Sequence, residues 1–227
     1  MPPIQKNQLL GAMSQEDAGK FFSGLQPISF PLKHIIYEVG TPLEHVYFIE
    51  QGIVSILTNM TTGERIEAGM IGSEGVVGLP VLLGREKSDR HVIVQAPLTA
   101  LRMTSVDFKA AFEQSTTVRN IMLHYTGTLL EIASQTAACN RLHSLKQRCA
   151  RWLLMMYDRL QSEAMPLTHE FLSMMLGVRR SRVTESAGEL QRLGLIRYYR
   201  GRVNILDHAA LTTTACECYR DHDRLIR

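Results

Sequence analysis

No cysteine precedes Cys139, and the spacing of the four present, Cys139, Cys149, Cys216 and Cys218, does not suggest a disulfide framework. Cys216-x-Cys218, with His222 nearby, is part of a metal-ligand pattern, but no complete ligand set is evident, so no metal site and no cofactor is expected. The N-terminal stretch MPPIQKNQLLGAMS lacks a charged region followed by an apolar run, which gives no sign of a secretory signal. Gly75 to Gly84, the longest nearly apolar stretch, is about half of the ~20 residues a membrane span needs, and it contains Pro80. A soluble, cytoplasmic protein with no membrane partner is expected. Neither a Gly-x-Ser-x-Gly elbow nor a Walker-type phosphate loop occurs, so no enzyme is expected.

What is present points to a folded, partly basic chain. Forty-five per cent of the 227 residues are hydrophobic, which excludes a disordered polymer and suffices for one large or two small cores. The net charge of +3 is unevenly divided. From Asn140 to Leu206 there are 12 Lys and Arg against 5 Asp and Glu, whereas the remainder holds 13 against 17. A basic excess confined to one region is the footprint of a polyanion-binding surface.

That region contains the most informative stretch, Leu167 to Asp207. It reads as two short helices, a tight turn between them and a two-stranded ribbon. Thr168 is placed to cap the first helix, and Glu170 adds negative charge to its first turn. Phe171, Leu172, Met175 and Leu176 form its apolar face, and Gly177 supplies the left-handed stop. The second helix begins near Arg179, with Val183, Ala187, Leu190 and Gly194 assigned to its inner side. Ser181, Thr184, Glu185 and Gly188 lie on the outer side, flanked by Arg180 and Arg182. A small, polar outer face lets a helix approach DNA closely, and arginine can grip guanine O6 and N7 in bidentate fashion. Leu195–Tyr199 and Val203–Leu206 read as strands joined at Arg200-Gly201, and Arg197, Arg200 and Arg202 surround that turn.

These residues resemble the Crp/Fnr superfamily of bacterial transcription regulators, in the style of the catabolite activator. The resemblance rests on Leu167-Thr168, Met175-Leu176-Gly177-Val178, Arg180, Val183-Thr184, Leu190 and Gly194-Leu195-Ile196. It implies that Arg180 contacts bases, with Ser181, Thr184 and Glu185 beside it and Arg179, Arg182, Arg200 and Arg202 on phosphates. It also implies a homodimer on palindromic double-stranded DNA, with RNA polymerase as a candidate partner. Two departures leave the operator sequence open. Ser181 stands where well-known readers carry glutamate, and Arg179 stands where a serine cap is common.

Upstream, HIIYEV, HVYFIE, GIVSIL, RHVIVQ and LTALRM alternate with period two, and Gly40-Thr41-Pro42, Gln51-Gly52 and Thr62-Gly63 punctuate them. Short strands at this spacing predict an antiparallel roll or barrel. Preceding it, Ser14 to Leu25 reads as a short helix with Ser14 and Asp17 in a capping box. The resemblance implies a cyclic-nucleotide-binding type of roll, with the pocket at Gly72, Ser73, Glu74, Ser88, Asp89 and Arg90. Ser73 interrupts the expected Gly-Glu pair, and Ser88-Asp89 replaces the Arg-Ser pair that clamps the cyclic phosphate. An aspartate there repels a phosphate, so the effector is expected not to be cAMP. Family precedents for haem and iron–sulfur sensing find no matching ligands, since His91 is isolated and the N-terminal cysteine cluster is missing. A rival reading is a cupin-like metal enzyme or small-molecule-binding protein, although His45-Val46-Tyr47 and Glu50 give only part of its ligand pattern.

A short helix follows from Thr104 to Gln114, then a long one from Thr116 to about Asn140. Met122, Tyr125, Leu129, Ile132 and Thr136 recur on it at heptad-like spacing and are assigned to the dimer interface. Ser144 to Leu160 forms another helix, Gln161 to Pro166 a loop, and Ala209 to Arg227 a terminal helix. The expected architecture is α+β: a sensor roll over 1–114, a dimerisation helix and hinge over 115–142, and a winged helix-turn-helix over 143–227.

Overall fold

The computed structural model describes residues 6–13, 21–162 and 164–221. They form two compact units, one from residues 1–57 and 69–130, the other from 58–68 and 131–227.

The first unit is built on an antiparallel sheet. Its strands are β1 (Gln26–Phe30), β2 (Ile35–Tyr37), β3 (His45–Asn59), β4 (Arg65–Ile71), β5 (Val76–Val77) and β6 (His91–Thr104), in the order β1-β6-β3-β4 with β2 on β6 and β5 on β3. Period-two alternation buries Val46, Phe48, Val54, Val94 and Leu98 between the walls of the roll. Phe48 meets Phe21 and Phe108 edge-on at 5.6 and 5.8 Å. The short helix α1 (Gln8–Gly11) is pinned by buried Asn7, whose amide donates to the carbonyls of Ile49 and Gly75 at 2.8 Å.

Two expectations change here. Gln51-Gly52 is not a turn: β3 runs through it, and the strand register shifts there instead. Gly52, at φ 99°, forms a bulge in an unbroken strand. The runs RHVIVQ and LTALRM are likewise one strand, β6, across Pro97. Gly40 and Gly63 do sit at turns with positive φ. Of the expected first helix, Ser14 and Asp17 lie outside the described residues, while Phe21–Ser23 are helical.

α2 (Ser105–Gln114) is capped by Thr104, whose hydroxyl accepts from the Asp107 amide. α3 (Thr116–Leu142) follows. The assignment of its Met122 and Tyr125 to a dimer seam is overturned. Both are buried in the core of their own roll, and Leu129 is half-buried against it. Heptad spacing marks one apolar stripe, and its residues Met122, Tyr125 and Leu129 already have a partner within the chain, while Ile132 and Thr136 are half-buried. Leu123 and Leu130 are 53% and 66% exposed.

The second unit opens with α4 (Leu145–Leu160), started by a reciprocal capping box between Ser144 and Gln147. Its Cys149, Trp152, Leu153 and Met156 are buried in the core. The tip of the β3–β4 hairpin belongs to this unit: Trp152 Nε1 donates to Glu67 Oε2 at 2.6 Å. β7 (Met165–Pro166), α5 (His169–Leu176), α6 (Arg180–Arg192), β8 (Ile196–Tyr199), β9 (Arg202–Ile205) and α7 (His208–Thr214) complete it. The ribbon is three-stranded, in the order β7-β9-β8, because Met165 and Pro166 pair with Val203 and Arg202 in place of the expected loop.

Ala209 to Cys218 is not one helix. Thr212, Thr213 and Thr214 turn their hydroxyls back to the carbonyls of His208, Ala209 and Ala210, a competition that weakens a helix, and Ala215 is extended. The break returns Cys216 and Cys218 to Cys139 and His143 at the end of α3, so the expected incomplete ligand set is corrected to four converging donors. His222 lies outside the described residues.

Candidate nucleic-acid interface

Local sequence sets the geometry of α5 and α6. The Thr168 hydroxyl accepts from the Phe171 amide at 3.1 Å, and Gly177 closes α5 at φ 63°. Arg179 occupies the N-cap of α6 without a side-chain cap bond. Val183, Ser186, Ala187 and Leu190 anchor the inner face, all buried. Gly194 is not among them; it is exposed in the turn beyond the helix, at φ 71°. With α6 ending at Arg192, the chain needs a left-handed residue there to reverse into β8.

The outer face is open. Arg179, Arg180, Ser181, Arg182, Thr184 and Glu185 are all exposed in one stretch. Glu185 Oε2 pairs with Arg182 Nη1 at 3.3 Å, an exposed contact that a phosphate can displace at small cost. Thr184 is held more firmly. Its hydroxyl donates to the Arg180 carbonyl at 3.1 Å and lies 3.0 Å from His169 Nδ1 on α5. The His169 ring also meets Tyr198 edge-on at 4.4 Å. Burial, followed by the charge of Arg180, holds the His169 imidazole below the ordinary histidine range. The contact between Nδ1 of this ring and the Thr184 hydroxyl joins the two helices on the exposed side.

The wing carries the second basic group. Arg200 (φ 45°) and Gly201 (φ 72°) form a two-residue hairpin turn of the left-handed type. The Arg200 guanidinium lies 5.0 Å from the Tyr199 ring centroid, and Arg197, Arg200 and Arg202 are exposed. Tyr198 fixes the wing to the helices: its amide donates to Gln191 Oε1 at 2.7 Å and its hydroxyl to the Leu167 carbonyl at 2.6 Å. Small polar side chains, a helix N-terminus and two arginine groups together can meet a phosphate backbone and reach a base edge.

The sensor roll has a cavity of about 380 Å³ lined by apolar groups of the sheet, by Thr126, Leu129 and Leu130 of α3, and by Ser88, Asp89 and Arg90. Half of the expected pocket is absent from it. Gly72, Ser73 and Glu74 do not line the cavity: buried Glu74 accepts from the Gly72 amide at 3.0 Å, and the Ser73 carbonyl accepts from Gln8. These bonds close residues 72–74 into a loop of their own. Ser88 donates to the Arg90 carbonyl at 2.7 Å, and Arg90 pairs with Asp89 at 3.8 Å. His91 is buried with Nδ1 against Glu38 Oε2 at 3.2 Å, a structural role. His45 lies half-buried on β3 beside Tyr47.

Sequence reasoning missed β7, Ser186 and His169. A two-residue strand has no periodicity to detect. Ser186 is a polar residue on an apolar face. His169 is one helical position after a cap, where its bond to Thr184 depends on how α5 meets α6.

Comparison with known proteins accords with this geometry. A family model described as the Crp-like helix-turn-helix domain matches residues 147–214, and one described as the cyclic nucleotide-binding domain matches residues 27–115. The Global nitrogen regulator of Synechococcus elongatus is 24% identical over 217 residues, covering 91% of this chain and 96% of its own. Among solved structures, FixK2 from Bradyrhizobium japonicum superimposes with a TM-score of 0.72 at 17% identity, over 85% of this chain and 98% of its own. A CRP/FNR-family transcriptional regulator from Thermus thermophilus gives 0.70 at 21% identity, over 84% and 98%. At such identities the structural likeness speaks for the fold.

Proposed function

Because the chain belongs to the Crp/Fnr superfamily of DNA-binding transcription regulators, which are not enzymes, we propose that it binds a palindromic operator as a homodimer and that α6 reads the major groove. The observation that carries this reading is the open outer face of α6, where Arg180, Ser181 and Arg182 stand clear of the core. Arg180 contacts a base edge, with Ser181, Thr184 and Glu185 along the same surface. Arg179, Arg182, Arg200 and Arg202 meet phosphates.

Dimerisation uses the exposed flank of α3 that carries Leu123, Gly127 and Leu130, the last of which also borders the cavity of the roll. Leucine at spacings of four and three around a glycine suits close helix pairing. The paired recognition helices then enter successive major grooves about 34 Å apart. Residues 1–114 act as the sensor, 115–142 as dimerisation helix and hinge, and 143–227 as the reader. RNA polymerase is the partner such a regulator would address from its operator. Among the described residues, no helix is long and apolar enough to cross a membrane.

The effector is a compact apolar molecule rather than a cyclic nucleotide. The cavity is lined mainly by aliphatic side chains, and it is bordered by Asp89, which the resemblance sets at a position of the phosphate clamp. Such a ligand changes DNA affinity only if it favours one dimer arrangement over another. Selection of bound fragments from genomic DNA, with and without cyclic nucleotides, tests both levels. The expected result is a palindromic motif that cyclic nucleotides leave unchanged. Failure to enrich any motif would overturn the operator reading, and a nucleotide-dependent motif would overturn the reading of the cavity.

A further inference from the structure

The four donors at the end of α3 are unconnected with DNA contact or with the sensor cavity. Cys139 lies in the last turn of α3, and His143 stands just past its end, four residues later and therefore on the same side. Cys216 and Cys218 arrive from the other end of the C-terminal unit, after the break that follows α7. Cys139, Cys216 and Cys218 are buried and His143 is half-buried.

Their spacing is that of a coordination polyhedron. Cys139 Sγ is 3.6 Å from Cys216 Sγ, Cys218 Sγ is 3.6 Å from His143 Nδ1, and all four donor atoms lie within 4.8 Å of one another. With Zn–S near 2.3 Å and Zn–N near 2.0–2.1 Å, a regular tetrahedron has sulfur–sulfur edges of about 3.8 Å and sulfur–nitrogen edges of about 3.5 Å. These two edges are already near those lengths, and no edge needs to contract by more than about 1 Å.

The surroundings are those of a ligand set. His143 Nε2 lies 3.1 Å from Glu217 Oε1. A carboxylate that accepts the Nε2 proton leaves the Nδ1 lone pair directed at the cluster, which is the arrangement that orients metal-bound imidazole. Gln135 Nε2 donates to Cys218 Sγ at 3.0 Å, a bond that favours a thiolate over a thiol. Three thiolates and one imidazole around a divalent ion carry one net negative charge. The buried Arg151, whose guanidinium donates to Thr136 Oγ1 at 3.4 Å and whose field reaches Cys139, offsets it.

We propose that Cys139, His143, Cys216 and Cys218 bind one zinc ion in a closed, structural site. Soft thiolates with one imidazole select zinc among the hard and borderline divalent ions, and four protein donors leave no open position for chemistry. A disulfide between Cys139 and Cys216 would use two of the donors and leave Cys218, His143 and Glu217 arranged around nothing. The zinc joins the start of the reading domain to its end. The sequence between Cys139 and Cys216 contains α4 through α7, so the ion closes the whole helix-turn-helix and wing into one loop. Metal binding of this kind contributes directly to folding.

The test uses the full-length protein purified without chelator or added metal, and elemental analysis of it. About one zinc per chain is expected. Replacement with cobalt is expected to give the intense visible absorption of a tetrahedral thiolate site, a readout that requires no variant. Zinc is expected to be lost in Cys139→Ser and in Cys216→Ser and kept in Cys149→Ser, which alters a cysteine outside the cluster. Glu217→Gln leaves the ligands in place and is expected to weaken zinc about 10- to 100-fold in competition with a chelator. The proposal is overturned by a metal-free protein whose cobalt form shows only weak six-coordinate absorption. It is equally overturned by a Cys139–Cys216 disulfide in unreduced peptide maps, or by full zinc content in Cys139→Ser.

Discussion

Thr184 Oγ1 lies 3.0 Å from His169 Nδ1, and this contact couples the recognition helix to the helix before it. The imidazole is held neutral by burial and by the nearby Arg180 charge. A base whose folded pKa is lowered binds its proton more readily in the unfolded chain. Stability from this site is therefore complete above the ordinary histidine pKa of about 6.5 and declines as pH falls below it. The thermal midpoint is expected to fall further between about pH 7.5 and pH 5.5 in the natural protein than in His169→Gln, which cannot titrate there. Equal falls in the two proteins would remove His169 from the account.

Arg180 and the wing arginines are expected to behave differently when truncated. Arg180→Ala should cost about 1–3 kcal/mol at the selected operator and relax preference at one position of each half-site. Arg200→Ala should weaken all sequences alike and reduce the salt dependence of log K by about one. Fluorescence anisotropy against an operator and its single-base variants, repeated over a salt series, separates the two. A uniform loss for Arg180→Ala would move that residue from base reading to the backbone.

How much is legible in the sequence depends on how local the signal is. Thr168 acts through a hydroxyl bond to the amide three residues on, Gly177 and Arg200-Gly201 act through their own backbone, and each stands where its local pattern predicts. The outer face of α6 is equally readable, since helical spacing decides which side chains share a side. Legibility fails where a partner distant in sequence decides the outcome. Gly52 reads as a turn until Pro97 is seen to run alongside it. Met122 reads as a seam for a second molecule until the roll fills that side. Cys216 and Cys218 read as an incomplete ligand pair because their partners are 77 and 75 positions away. In the effector pocket, Ser73 visibly interrupts a motif, but only the fold shows that Glu74 is drawn into its own loop.

The two sides of α3 make a crossed prediction. Met122 is fully buried, so Met122→Ala should cost about 2–5 kcal/mol of stability by leaving a cavity in the roll. Leu123, its neighbour on the exposed side, should contribute little to the fold of one chain. Leu123→Glu is expected to leave the unfolding of the roll nearly unchanged while shifting the dimer towards monomer in sedimentation. If instead Leu123→Glu stays dimeric, the pairing face lies elsewhere.

Glycine at 52 separates conformational strain from steric collision. Gly40 and Gly52 share a positive φ, at 85° and 99°. A Cβ built at Gly40 meets nothing within 4 Å, so Gly40→Ala should cost only the left-handed backbone term, about 1–2 kcal/mol. At Gly52 the same atom would stand 2.3 Å from the Pro97 carbonyl oxygen and 2.9 Å from Leu98 Cα. Both are backbone atoms of β6, so relief requires the two longest strands of the sheet to part. Gly52→Ala should therefore cost clearly more, about 3 kcal/mol or beyond once overpacking is added to strain. Denaturant unfolding of the two variants checks the difference. Similar midpoints would mean that the strands separate easily at this bulge, and that the roll tolerates an opening between β3 and β6 beside its core.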